Sequence, residues 1–91
     1  MRSVRLRISG RVQGVGYRAW AIATASRLGL NGWVRNRRDG TVEVLVGGAD
    51  DAVEAMIAAC GEGPYGARVT QVAVEDDVGP GAVGFGARPT D

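Results

Sequence analysis

The chain has 91 residues, 45% hydrophobic and 23% charged, which suffices for one modest core spanning residues 1–91 and not for two. That balance excludes a disordered segment, and no apolar run approaches the ~18 residues that a membrane span needs. The net charge of +1 comes from eleven arginines and ten acids, with neither lysine nor histidine; histidine-based triads, the usual zinc sites, Schiff-base lysines and the lysine-dependent P-loop are thereby excluded.

The opening Met1-Arg2-Ser3-Val4-Arg5-Leu6-Arg7 alternates charged and apolar residues and continues to Ile8. It predicts a half-buried strand and not a signal peptide. With no export signal, and with Cys60 as the sole cysteine, no intramolecular disulfide can form and a cytoplasmic location is expected. Gly10 to Gly16 reads as a glycine-punctuated loop. From Tyr17 to Leu28 the chain is alanine-rich, with Tyr17, Ala21, Thr24 and Leu28 at helical spacing and Gly29 as the stop.

Gly32 to Arg37 predicts a second strand and Thr41 to Val46 a third, joined in a hairpin at Asp39-Gly40. Gly47-Gly48 ends that strand, and Asp50 or Asp51 is suited to cap a second helix. Within it Val53, Met56, Ile57 and Cys60 form an apolar stripe. Gly61 to Gly66 reads as loop. Val69, Val72 and Val74 mark a fourth strand closed by Glu75-Asp76-Asp77, and Val83 and Phe85 anchor a weak last strand in the glycine-rich end.

The order is strand, helix, strand, strand, helix, strand, which predicts a ferredoxin-like α+β fold (βαββαβ). Two helices lie on one face of an antiparallel sheet, with room for a short extra edge strand. This architecture hosts many activities, so the fold does not give the function.

Residues 1–40 carry nine of the arginines and one acid, whereas residues 41–91 carry two arginines and nine acids. Two readings stand. A basic half attracts an anionic partner, either a small phosphate compound or a nucleic acid. Alternatively, folding interleaves the two signs.

The segment Gly10-Arg11-Val12-Gln13-Gly14-Val15-Gly16-Tyr17-Arg18 joins the first strand to the first helix. A glycine-bent loop at a helix start can aim successive amides at one anion, and the helix dipole adds to that field. Glycines alone are better explained by a tight turn. Arg18 shifts the balance, because a cation in the first turn opposes the dipole by about 0.3–1 kcal/mol unless an anion reverses the sign. Its planar fork also suits two parallel bonds to phosphate. Asn36 stands at a strand end, where asparagine is depleted unless it has local work. That work is either bonding to turn backbone or, through a carboxamide that both donates and accepts, holding a water beside a phosphate oxygen. Trp33 is expected to pack against the core rather than to bind a ligand.

Together these two motifs resemble the acylphosphatase family. Gly10-Arg-Val-Gln-Gly-Val-Gly-Tyr-Arg18 fits its first signature, and Gly32-Trp-Val-Arg-Asn36 with Gly40, Val42 and Gly48 fits its second. Leu28-Gly29-Leu30 and Gly63-Pro64 with Ala67 and Val69 are similar too, so the likeness runs from about Val4 to Phe85. The end departs from the pattern, since Ala87 is small for a position that is usually aliphatic and bulkier.

The resemblance implies hydrolysis of acyl phosphates to carboxylate and inorganic phosphate, which would also inhibit competitively, without metal or cofactor. Arg18 would bind the phosphoryl group with loop amides from Val12, Gln13, Gly14, Val15, Gly16 and Tyr17. Asn36 would position the attacking water. A small-molecule substrate and a monomer are expected. An RNA-binding module on the same fold is disfavoured, because strands carrying Arg5, Arg7 and Glu43 offer no aromatic stacking platform. A maturation or carrier-binding domain of a larger system is not required by anything in the chain.

Overall fold

The computed structural model describes residues 1–91 and contains seven elements. They are β1 (Arg2–Arg11), α1 (Tyr17–Arg27), β2 (Asn31–Asn36), β3 (Val42–Gly48), α2 (Asp50–Glu62), β4 (Arg68–Asp76) and β5 (Phe85–Ala87). The sheet order is β4-β1-β3-β2-β5. The first four strands are antiparallel, and β5 joins the β2 edge in parallel. This is the ferredoxin-like α+β arrangement with an extra edge strand.

Strand alternation sets the two faces. Val4, Leu6 and Ile8 of β1 lie opposite Val46, Val44 and Val42 of β3. Together with Val34 these side chains are fully buried beneath Ala21 and Ala25 of α1 and Val53, Met56 and Cys60 of α2. Opposite pairs share a face, so the alternate positions Arg5, Arg7, Glu43, Leu45 and Trp33 fall on the side without helices. Trp33 is buried, as expected from sequence, but on the sheet face away from the helices. Its ring is flanked by the guanidinium groups of Arg35 and Arg88, 4.8 and 4.7 Å from its centroid.

Several boundaries differ from the sequence reading. β1 runs on through Gly10 and Arg11, because a bulge after Ser9 lets them pair with Val69 and Arg68 of β4. The α2 cap is Ala49, without a side-chain bond, and Asp50 and Asp51 sit in the first turn instead, where they suit the dipole. β4 extends to Asp76. Val83 is fully exposed and outside the last strand, which Phe85 begins.

The two halves of the charge pattern meet in ion pairs, most of them on the open face. Glu43 is 1% exposed and accepts from Arg5 at 2.6 Å and Arg35 at 2.7 Å. Arg5 also reaches Asp77, Arg7 reaches Asp39, Arg2 reaches Glu54, and Arg35 reaches Asp91. Interleaving thus accounts for much of the basic half. Arg11, Arg18, Arg27 and Arg38 are left out of it.

Candidate active site

β1 and β2 both run antiparallel to β3, so their C-terminal ends lie at the same end of the sheet. The Val12–Gly16 loop leaves the first of these ends, and Asn36 closes the second. The topology itself brings the two sequence motifs together.

The loop is held from three sides. Val12 is 1% exposed and joins the core. Gln13 turns its side-chain amide to the neighbouring hairpin, donating to the carbonyls of Arg37 at 2.7 Å and Thr41 at 2.9 Å. Tyr17, buried at the start of α1, donates its hydroxyl to the Cys60 carbonyl at 2.7 Å and thereby pins the first turn to α2. Burial first, and then this contact, push the Tyr17 phenol well above its ordinary range, so it stays a neutral donor.

Between these anchors the backbone is bent by Gly14 and Gly16, at φ +75° and +80°, a region that other residues rarely enter. The backbone amides of Val12, Gln13, Gly14, Val15 and Gly16 make no hydrogen bond to another protein group. Unpaired amides in such a bend form an anion-binding concavity. The first turn of α1 contains no acid, and the exposed Arg18 in it makes neither an ion pair nor a hydrogen bond.

Asn36 has the same freedom. Its backbone carbonyl accepts from the Asp91 amide at 3.1 Å, while its carboxamide, open to solvent, makes no hydrogen bond to another protein group. The turn is instead served by Asp39, whose Oδ1 accepts from the Thr41 amide at 3.0 Å and hydroxyl at 2.7 Å. The local reading of Asn36 as a turn-stabilising side chain therefore has no support in the geometry.

One cavity of about 370 Å³ is lined by Val12, Gly14, Gly16, Tyr17, Arg18 and Asn36 together with Ala19, Ile22 and Ala87. Gln13 and Val15, expected beside them, do not line it. Gln13 is turned to the hairpin, and Val15 packs against the core. The sequence reading missed Ala19, Ile22 and Ala87. Ile22 was within reach, since it stands one helical turn after Arg18. Ala87 carried no local signal, because its place depends on β5 pairing with β2.

Arg18 is the single charged group of the lining, and no three His, Cys, Asp or Glu side chains converge anywhere in the fold. Cys60 is buried, and burial pushes its thiol up to about 11, which keeps it protonated. No helix is long and apolar enough to cross a membrane.

A family model described as acylphosphatase matches residues 4–86. An acylphosphatase of Rhodospirillum rubrum is 52% identical over 90 residues, covering 99% of each chain. Among solved structures, the acylphosphatase of Bacillus subtilis superposes with a TM-score of 0.92 at 35% identity, covering 97% of this chain and 99% of its own. An acylphosphatase of Coxiella burnetii gives 0.91 at 33% identity, covering 96% and 92%.

Proposed function

The chain belongs to the acylphosphatase family, and from that premise we propose how its cavity cleaves the carboxyl–phosphate bond of an acyl phosphate. The observation that carries the reading is the unpaired state of both motifs. A free arginine fork and free loop amides face the same cavity as a free carboxamide. These groups are open to solvent and engaged by no protein partner, and a phosphoryl group with an adjacent water would engage all of them at once.

Arg18 takes two phosphoryl oxygens in its fork, and the amides between Val12 and Tyr17 take the remainder. Asn36 accepts from the attacking water and donates to a phosphoryl oxygen. The water oxygen forms a bond to phosphorus as the bond from phosphorus to the carboxyl oxygen breaks, and the electron pair leaves with the carboxylate. The water's proton passes to an oxygen of the phosphate itself. A carboxylate leaves without a general acid, and a loose transition state asks little of the nucleophile, so positioning and charge stabilisation supply the acceleration.

On this reading the enzyme needs no metal or cofactor, and inorganic phosphate is both product and competitive inhibitor. It acts as a monomer on a small molecule. The lone buried Cys60 suits a reducing, cytoplasmic setting. Release of inorganic phosphate from benzoyl phosphate by the purified chain tests the reading, and failure to turn over this or any simple acyl phosphate would overturn it.

A further inference from the structure

The cavity has two chemically different ends. Gly14, Gly16, Arg18 and Asn36 lie where β1 and β2 finish. α1 runs back from there, and Ile22 follows Arg18 by one turn, about 6 Å along the axis. Ala87 pairs with Val34, two residues before Asn36, or about 7 Å back along the strand. Both displacements point the same way, beneath the polar groups and between α1 and the β2–β5 edge. Ile22 and Ala87 lie toward this second end, with Ala19 beside Arg18 between the two, and the polar side chains of the lining belong to Tyr17, Arg18 and Asn36.

We propose that this apolar end receives the acyl group, and that the substrates are acyl phosphates whose acyl part is an uncharged hydrocarbon. The inference rests on the phosphoryl group occupying the Arg18 end, as argued above. With phosphorus there, the mixed anhydride is long enough to carry its acyl carbons past Asn36 toward Ile22 and Ala87. A carboxylate or ammonium on those carbons would lose water among alanine and isoleucine side chains without finding a counter-ion. Hydrocarbon would gain. The two alanines leave the room, and Ala87 sets its depth: a bulkier residue on that strand would fill the space that the acyl chain enters.

The test compares kcat/KM for acetyl, butyryl and succinyl phosphate. Butyryl phosphate adds two methylenes to acetyl, and succinyl phosphate keeps four carbons but ends in a carboxylate. At roughly threefold or more per buried methylene, butyryl should exceed acetyl by about tenfold. It should exceed succinyl by at least as much. Ala87→Leu should collapse the butyryl-to-acetyl ratio toward one by filling the space, and Ile22→Ala should reduce it by removing the wall. Inhibition by inorganic phosphate shows in each variant that the polar end is still formed. A wild-type ratio near one, succinyl turnover equal to butyryl, or an unchanged ratio in both variants would overturn the acyl site while leaving the phosphoryl site standing. No turnover of any of the three by the wild type would instead remove the reading on which it rests.

Discussion

The side-chain amide of Gln13 donates to the main-chain carbonyl of Arg37 at 2.7 Å, joining the glycine loop to the strand end that carries Asn36. The same nitrogen reaches the Thr41 carbonyl at 2.9 Å on the other side of the hairpin. Both carbonyls have a second donor, the Gly40 amide for Arg37 and the Arg37 amide for Thr41. Losing Gln13 therefore strands neither acceptor, and the cost to stability is small, about 1 kcal/mol.

Catalysis is more sensitive, because a shift of the order of 1 Å between groups that act together can cost up to about 100-fold. Gln13→Ala is predicted to lower kcat by roughly tenfold or more while the melting temperature falls by only a few degrees. Gln13→Glu should be worse, since it sets a carboxylate against two carbonyl oxygens. Full kcat in Gln13→Ala would reduce the bridge to a surface tether.

Glu43 anchors the open face. Burial pushes its carboxyl up, but Arg35 and Arg5 outweigh that and hold it below its ordinary value of 4.5. Between the two values the unfolded chain binds a proton that the folded chain does not, so acidification through this window favours unfolding. The contribution is complete above 4.5 and is lost as pH falls through the folded value. Glu43→Gln should cost roughly 2 kcal/mol at neutral pH, less than the ~3–5 of a fully buried pair because the arginines reach water. It should also flatten the acid limb of the stability curve. Denaturant melts of both proteins from pH 3 to 7 measure this, and parallel curves would contradict it.

Cys60 closes the apolar stripe of α2 and contributes only its backbone carbonyl to Tyr17. Cys60→Ala should lower stability by about 1–2 kcal/mol and leave kcat nearly unchanged. In the native protein the thiol should resist a colorimetric thiol reagent and react only on unfolding. Rapid modification that phosphate slows would instead put the cysteine in the site.

Activity should survive exhaustive dialysis against EDTA, because Arg18 is the sole charge lining the cavity and no carboxylate stands there to hold a cation. A loss restored by added Mg²⁺ or Zn²⁺ would require a different mechanism.

Both helices and the four antiparallel strands were legible because each carries a periodic pattern, with a glycine marking some of the ends, as at Gly29 after α1. The meeting of Arg18 with Asn36 was legible only through the two signatures, since the residues lie on separate elements. A weak last strand at Phe85 was legible, but its bounds and its parallel pairing with β2 were not, because three residues, Phe85–Ala87, are too short for a period and their partner is distant in sequence. Val83 looked like a strand anchor by its type but is almost fully exposed. Trp33 was legible as a buried side chain, and its alternation with Val34 put the two on opposite faces. Gln13 gave no sign of its hairpin contacts, which arise only once the loop and the hairpin are brought side by side.

Arg18 and Asn36 should fail in different ways, and comparing them tests the division of labour most directly. Arg18 would hold the phosphoryl group in ground and transition states alike. Arg18→Ala should therefore abolish inhibition by inorganic phosphate and cut kcat as well, and Arg18→Lys should not restore either, because a point charge lacks the fork. Without ligand, Arg18→Ala should melt slightly higher, since a cation has left a helix N-terminus. Asn36 would touch the water more than the substrate, so Asn36→Ala should lower kcat by about 10²–10³-fold with KM and phosphate inhibition nearly intact. The decisive measurement is kcat, KM and phosphate Ki for both alanine variants on benzoyl phosphate. The predicted result is a kcat-only defect at Asn36 and a joint kcat and phosphate-binding defect at Arg18; near-full kcat in Asn36→Ala, or normal phosphate inhibition in Arg18→Ala, would contradict it.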